Sequence, residues 1–312
     1  MNLLKYIYHN TWLGKLLIYV YHTSANRLIP EKLFVKIKFK RINGIFPDIK
    51  NPKTLNEKII WLKLNDRTAL HTQCADKYAV RDYVSEKIGD QYLVPLLYHT
   101  ANPKEIVPDK LPDIPFIIKT NHDSGSVFIV HDKLKIDWQD LQKKLKKRLK
   151  HNYYWRSKEW QYKNIKPRIV VEKLLMDEAG NIPFDYKLHC INGKVNMIQV
   201  DMGRGSQNHC RNWYSPKWER EPYKWTVALG NGRFTDPSDK EVAKPNNLEK
   251  MIELSESLAA PFCYVRVDWY DVNDKLFFGE LTFHHDGGNR PIEPKEWDLL
   301  LGKKLKLPSN HK

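Results

Sequence analysis

The stretch "YVRVDWYDVNDKLFFGELTF", Tyr264–Phe283, decides the reading of this chain. Two runs rich in β-branched and aromatic residues flank "DVNDK", which supplies a turn, so the stretch predicts a hairpin. Side chains two apart on a strand share a face. Arg266, Asp268 and Tyr270 therefore share one face of the first strand, and Phe278, Glu280 and Thr282 one face of the second. Carboxylates inside runs built for burial need a partner or a ligand. If the two charged faces coincide, Asp268 and Glu280 can share one or two Mg²⁺ ions, for which hard oxygen ligands are suited. Arg266 beside them suits developing phosphoryl or oxyanion charge. The plainer alternative is a charged cross-strand cluster on an exposed face, with Arg266 neutralising Asp268 two residues along the same strand.

Working outward, the same grammar repeats. "FIIKTNHDSGSVFIV", 116–130, reads as a hairpin around a small polar loop, and "PRIVVEKLL", 167–175, as a buried strand. "FDYKLHCINGKVNMIQVD", 184–201, is a hairpin with Asn192-Gly193 at its turn. Helices are expected between them. One starts at the N-cap Thr54 with Glu57 three residues on, and a second runs through "CADKYAVRDYVSEKIG" to Gly89. "WQDLQKKLKKRL" places Leu141, Leu145 and Leu149 at four-residue spacing, and "NNLEKMIELSESLAA" forms a fourth helix. Tyr214 to Asn247 reads as loop, and the end as a short basic tail. Hairpins interleaved with helices predict an α+β protein with antiparallel sheets in two lobes.

The 312 residues carry 52 Lys+Arg against 37 Asp+Glu, a net charge of +15 that favours an acidic partner. Cys74, Cys190, Cys210 and Cys263 are scattered without a CxxC, which argues against a zinc framework or disulfide scaffold. They read as reduced thiols of a cytoplasmic protein. The first fifty residues mix apolar and aromatic residues with Lys5, Lys15, Arg27, Lys32, Lys36, Lys38, Lys40 and Arg41. That pattern suits either a helix packed on the body or an amphipathic helix on the anionic inner face of a membrane. The uncharged run Leu16–Asn26 is too short to span one.

Other residues point toward phosphate chemistry. Lys119 ends a buried strand and leads into "NHDSGS", where Gly125 lies between Ser124 and Ser126. A small-residue loop with free N–H groups tied to a strand lysine can cradle phosphates, although GxxxxGK[ST] is absent. Glu172 and Lys173 close a buried run, and Asp185 and Lys187 share a strand face. "FHHDGGN" reads as an active-site loop rather than a zinc site, since His284 and His285 would point apart. "HNYYWRSKEWQY", 151–162, reads as a packed aromatic surface more than a stacking platform. No GxSxG element or Cys/His nucleophile context is present.

The order of these motifs resembles the TupA-like ATP-grasp family of bacterial surface-polysaccharide biosynthesis. It is carried by "NPKTLNEKIIWLKLNDR", "ADKYAVRDYV", "FIIKTNHDSGSV", "NYYWRSKEWQYKNIKPRIVVEKLL", "DYKLHCINGKV" and "VRVDWYDVNDKLFFGELTF", from Asn51 to Trp297. The resemblance implies an ATP-grasp fold, two α+β lobes with antiparallel sheets clamping nucleotide, behind a helical N-terminal extension. The expected divisions are 1–50 for the extension and 51–115 for a substrate-side part. The small lobe takes 116–175, and the large lobe with metal site and tail 176–312. The resemblance implies that Lys77, Lys119 and Lys187 lie near phosphates, with His122, Ser124, Gly125 and Ser126 in the phosphate loop and Asp185 nearby. Glu172, Lys173 and Leu174 would meet adenine. Arg266 and Lys187 would act in catalysis, and Asp268 and Glu280 on Mg²⁺. In many superfamily members the last acid is the Glu of a Glu-x-Asn whose Asn also binds metal; here the triplet is Glu280-Leu281-Thr282, as in TupA-like relatives, and the resemblance puts Thr282 on the metal side as the holder of a metal-bound water.

The activity so implied is an ATP- and Mg²⁺-dependent carboxylate–amine ligation through an acyl phosphate. The carboxylate expected is a uronic acid of a nucleotide sugar or polysaccharide, and the amine an amino acid or similar nucleophile. Nucleic acid is not an expected partner. A glycosyltransferase is the alternative, though Asp268–Asp271 and Asp271–Asp274 lack DxD spacing. A non-enzymatic polyanion-binding module is the other.

Overall fold

The computed structural model describes residues 11, 12, 14, 27–125, 127–203 and 206–308. Ser126 and most of the first twenty-six residues lie outside that set, as does most of the amphipathic segment expected there.

Helix α1 (Glu31–Asn43) buries Val35 and Phe39 against Ile60 of α2 (Leu55–Asn65). The capping box at Thr54 is formed: its hydroxyl accepts from Glu57 N, and the Glu57 carboxylate accepts from Thr54 N at 3.1 Å. The single helix expected through Ala75 to Gly89 is two, α3 (Ala69–Ala75) and α4 (Val80–Ile88). Asp76 breaks it, because its side chain accepts from Tyr78 N at 2.8 Å and replaces a helical bond. Lys77 sits in that break.

Strand β1 (Leu96–Thr100) comes next, then the hairpin β2 (Phe116–Thr120) and β3 (Val127–Val130). Helices α5 (Trp138–Leu149) and α6 (Tyr153–Ser157) lead to β4 (Ile169–Lys173). These strands form an antiparallel sheet in the order β1-β4-β2-β3. Leu141 and Leu145 of α5 pack on Phe116, Ile118, Ile169 and Val171, one face of that sheet. The other face carries Lys119 and Glu172.

The second sheet runs β12-β11-β5-β6-β7, also antiparallel. It is built from β5 (Asp185–Ile191), β6 (Lys194–Met202), β7 (Cys210–Tyr214), β11 (Tyr264–Val272) and β12 (Lys275–Thr282). Two of its hairpins close on residues with positive φ: Asn192 (50°) and Gly193 (77°), then Asn273 (51°) and Asp274 (60°). Such turns match the twist of the flanking strands. Between β7 and β11 the expected loop holds short strands, β8 (Lys224–Trp225), β9 (Ala228–Gly230) and β10 (Arg233–Phe234), then helix α7 (Leu248–Ala259). Leu248, Met251, Leu254 and Leu258 of α7 pack on Leu188, Val200, Val267 and Trp269, the apolar face of the sheet. The basic tail is instead β13 (Ile292–Glu293), paired with β8, and helix α8 (Lys295–Lys304). Gly302 lets α8 approach α2, since a Cβ there would lie 2.2 Å from Lys53 O.

The central hairpin departs from simple alternation. Val267 pairs with Leu281, but Trp269 pairs with Phe278, so β12 carries an extra residue opposite Asp268. Phe278 therefore turns into the apolar core beside Trp269, ring centroids 6.1 Å apart, and does not share the face of Glu280. Gly279 makes the bulge possible: a Cβ there would meet Asp268 O at 3.1 Å.

Candidate active site

The polar face of the five-stranded sheet is the site. Register places Arg266 beside His189 and Thr282, Asp268 beside Lys187, Lys187 beside Gln199, and Asp185 beside Asp201, itself beside Arg211. At one end of this face Ile191, Met197, Trp213 and Tyr264 are apolar and covered by Leu55, Ile59 and Leu62 of α2. Charge begins where that cover ends.

Arg266 binds Asp268 with both Nε and Nη2, each at 2.6 Å. The same Nη2 donates to Glu280 Oε1 at 3.0 Å, and the Thr282 hydroxyl donates to that oxygen at 3.2 Å. Both sequence expectations thus meet in one place: the carboxylates of Asp268 and Glu280 come together, and Arg266 joins them. Lys187 is buried among three carboxylates, paired with Asp185, 3.3 Å from Asp268 and 3.8 Å from Asp201. A phosphate contact by Lys187 would require its ammonium to exchange one of these partners.

Burial pushes the Asp268 carboxyl up to about 6 against the pull of Arg266 and Lys187, and Asp185 and Glu280 add repulsion. A carboxylate crowded in this way gains from taking on a further cation. Burial would also raise Asp201, but His209, Arg211 and Lys187 outweigh it and hold that carboxyl well below its usual range. Arg211 Nε donates to Asp201 at 2.9 Å, and Gln199 Nε2 donates to the other oxygen at 2.9 Å.

The four-stranded sheet carries the other expected cation. Lys119 Nζ lies 2.5 Å from Glu172, which Arg81 also approaches at 3.7 Å. The phosphate lysine and the adenine-side acid expected from the motifs are thus an ion pair. Lys173 is exposed, whereas Leu174 is buried with its N–H on Pro115 O at 3.1 Å. In the loop, Ser124 and Gly125 are exposed. His122 is buried beneath them, with Nε2 2.9 Å from His151 O, so it braces the loop from inside. Thr120 fixes Asp123 by donating at 2.6 Å. Lys77 donates to Asp123 O, and its own N–H binds Asn121 O at 3.1 Å. Burial lowers the Lys77 ammonium from its ordinary value, with Lys119 adding to this and Glu280 opposing it. Lys77 is therefore within electrostatic reach of both sheets.

The aromatic segment packs: Tyr153 and Tyr162 meet edge to face at 5.0 Å, and Tyr153 is hydrogen-bonded to Ser124. His284 and His285 do point apart. His284 turns to Gln161 at 3.2 Å, and His285 to Arg266 at 2.9 Å. No sequence motif marks Gln199, Asp201 or Arg211. Alternation in "NMIQVDM" puts Gln199 and Asp201 on one strand face, but nothing local says that β7 brings Arg211 to them. All four cysteines are unpaired thiols, and burial pushes Cys74 up to about 12.

The TupA-like ATPgrasp family profile matches residues 57–306. No curated protein matches the chain. Among solved structures it is similar to a D-alanine–D-alanine ligase from Bacillus anthracis, at 16% identity over 68% of this chain and 57% of that one, TM-score 0.40. It is also similar to an N5-carboxyaminoimidazole synthase from Aspergillus clavatus in complex with ADP and 5-aminoimidazole ribonucleotide. There the identity is 13% over 69% of this chain and 46% of that one, TM-score 0.37. The chain thus spans about half the length of each.

Proposed function

This chain belongs to the TupA-like ATP-grasp family, and from that membership and the geometry of its site we propose that it is an ATP- and Mg²⁺-dependent carboxylate–amine ligase. One observation carries the reading. Arg266, Asp268 and Glu280 converge on one sheet face, and Lys77 lies within electrostatic reach of both Glu280 and Lys119 of the four-stranded sheet. A polyphosphate bound beside Lys77 would meet the cations Lys77 and Lys119 and the carboxylates of Asp268 and Glu280.

The donor set fits Mg²⁺. Asp268 and Glu280 offer hard oxygens from neighbouring strands, Glu280 is 41% exposed on its side chain, and burial and nearby carboxylates hold Asp268 up. Among the described residues no group of three or more His, Cys, Asp or Glu is placed to hold a metal, so an ion here would rest on two protein carboxylates and take the rest of its shell from water and phosphate oxygens. Asp268 and Glu280 would hold the ion, with Thr282 orienting Glu280 through its hydroxyl. Mg²⁺ would supply neutralisation of phosphate charge.

In the proposed reaction an oxygen of the substrate carboxylate attacks the γ-phosphorus, the bond to the β-phosphate oxygen breaks, and ADP leaves. The amine then attacks the acyl carbon and loses a proton, inorganic phosphate departs, and an amide remains. The protein's part is positioning and charge. Lys119 and Lys77 would hold phosphate oxygens, the Ser124–Gly125 turn would cover them, and Arg266 would face the transferred group. Glu172 to Leu174 would border the base, and Lys187 would keep Asp268 and Asp185 in place or turn to a phosphate.

We read the carboxylate as that of a uronic acid in a nucleotide sugar or surface polysaccharide, and the amine as an amino acid or similar nucleophile. The +15 net charge supports an acidic substrate. We also read the N-terminal face as a peripheral contact with an anionic membrane. Residues 1–50 hold nine basic and two acidic residues. On α1, Leu33 and Ile37 are 49% and 47% exposed, flanked by Lys36, Lys40 and Arg41, with Phe46 51% exposed below them. No helix among the described residues is long and apolar enough to cross a membrane.

Calorimetry with Mg-ATP, followed by ADP release across uronate and amine pairs, tests the ligase. Binding of a UDP-sugar without Mg-ATP binding would replace it with a glycosyltransferase.

A further inference from the structure

The guanidinium of Arg266 has five N–H groups and can only donate. Asp268 takes two of them at 2.6 Å, Glu280 a third at 3.0 Å, and His285 Nδ1 a fourth, from Nη1, at 2.9 Å. His285 Nδ1 must therefore accept, so the ring is neutral with its proton on Nε2. Complete burial and the charges of Arg266, Arg211 and Lys187 around it disfavour the imidazolium as well. Nε2 lies 3.2 Å from Asp286 Oδ2. The two atoms are off the line of a full hydrogen bond, and neither has another hydrogen-bond partner among the described residues.

The loop that carries this pair is held from several sides. Asp286, Gly287 and Gly288 all have positive φ, 47°, 65° and 70°. Lys63 Nζ donates to Gly287 O at 2.7 Å, and Asn43 Nδ2 to Asn289 O at 2.8 Å. A Cβ on Gly288 would lie 3.0 Å from Asn56 O. A left-handed aspartate persists where its surroundings over-determine it, and here they seat Asp286 between His285 and Arg211, 3.6 Å from the latter.

We propose that His285 and Asp286 are positioning residues for Arg266: Asp286 selects the Nε2–H tautomer of His285, and His285 Nδ1 fixes Nη1 of Arg266. One Nη1–H is then left for a substrate oxygen. Only that last step rests on the ligase reading.

The test begins with wild-type protein labelled with ¹⁵N-histidine and ¹⁵N-arginine. The NMR spectrum at neutral pH is expected to show His285 as the Nε2–H tautomer. An Nδ1–H tautomer or an imidazolium overturns the proposal. Next, hydrogen exchange of the Arg266 Nε–H, assigned by its loss in Arg266→Lys, is compared across His285 variants. Asn puts an acceptor where Nδ1 was; Gln puts one nearer Nε2; Ala supplies none. His285→Asn should stay within about threefold of wild type, while His285→Gln and His285→Ala exchange at least about tenfold faster. Equal behaviour of all three means that packing alone is at work, and the proposal fails. Asp286→Asn, which tolerates positive φ, should weaken the tautomer preference; an unchanged spectrum removes Asp286 from the assignment. None of these readings needs a substrate, so loss of the ligase reading, seen as no Mg-ATP binding by wild type, is a separate result.

Discussion

Asp268 and Glu280 share one arginine but not one environment. Asp268 is buried between Arg266 and Lys187, whereas the Glu280 side chain is 41% exposed. Asp268→Asn leaves two buried cations under-compensated and should cost about 3–5 kcal/mol of stability as well as activity. Glu280→Gln should change stability by less than about 1 kcal/mol and still lower Mg²⁺-dependent ADP release by roughly a hundredfold. Full turnover by folded Glu280→Gln would remove it from the metal site. A second residue-scale prediction concerns His71. It is buried against Phe262 and Phe283, at 5.1 and 4.6 Å, and burial pushes its imidazole down from 6.5 to about 4. The unfolded chain therefore binds more protons between those values, so stability rises with pH through this window and is lost as pH falls through it. The share is about 3 kcal/mol. Urea titrations of wild type and His71→Gln at pH 7 and pH 4.5 should show their difference shifting by that order; parallel losses would refute the assignment.

At the scale of elements, the β11–β12 bulge is the device that makes the site. Without the extra residue, alternation would put Phe278 on the polar face. Gly279→Val should force its branched Cβ against Asp268 O, 3.1 Å away, and Tyr270 Cε2, 3.3 Å away. A loss of about 1–3 kcal/mol, with Mg-ATP affinity falling more than in a Gly193-turn variant of equal stability, is the expected outcome. Unchanged affinity would mean that the bulge does not aim Glu280. Much at this scale was legible beforehand. The Thr54–Glu57 box, the Asn192-Gly193 turn and the α5 leucine spacing are local patterns, and each forms where it was expected. The helix break at Asp76 and the bulge were not legible. An Asx turn competes with a helix by a small margin, and a bulge is set by the partner strand.

Across the whole molecule, charge and apolar surface are unevenly spread. The exposed Leu33, Ile37 and Phe46 sit beside Lys36 and Lys40, whose ammonium groups lie 5.7 and 4.4 Å from the Phe46 ring centre. This mixture suits insertion among anionic headgroups. Sedimentation with vesicles of phosphatidylglycerol and phosphatidylcholine should pull down the full chain, and much less at high salt. Leu33→Asp with Ile37→Asp should abolish binding and leave Mg-ATP binding intact. Equal sedimentation with neutral vesicles would reject the electrostatic part of the reading.

Sequence by itself determined the strands of the three hairpins and β4, most helices, the hairpin turns and the types of residue that carry charge, because periodicity, caps and turn chemistry act over a few residues. It also placed Arg266, Asp268 and Glu280 on one hairpin. Only the tertiary structure decided which of them touch. The pairing of Lys119 with Glu172 and the cage of Lys187 depend on strand register. So does the joining of Asp201 to Arg211, while the contact of His285 with Arg266 depends on a constrained loop. Register is fixed by burying one whole face of a sheet at once, which no short stretch of sequence encodes.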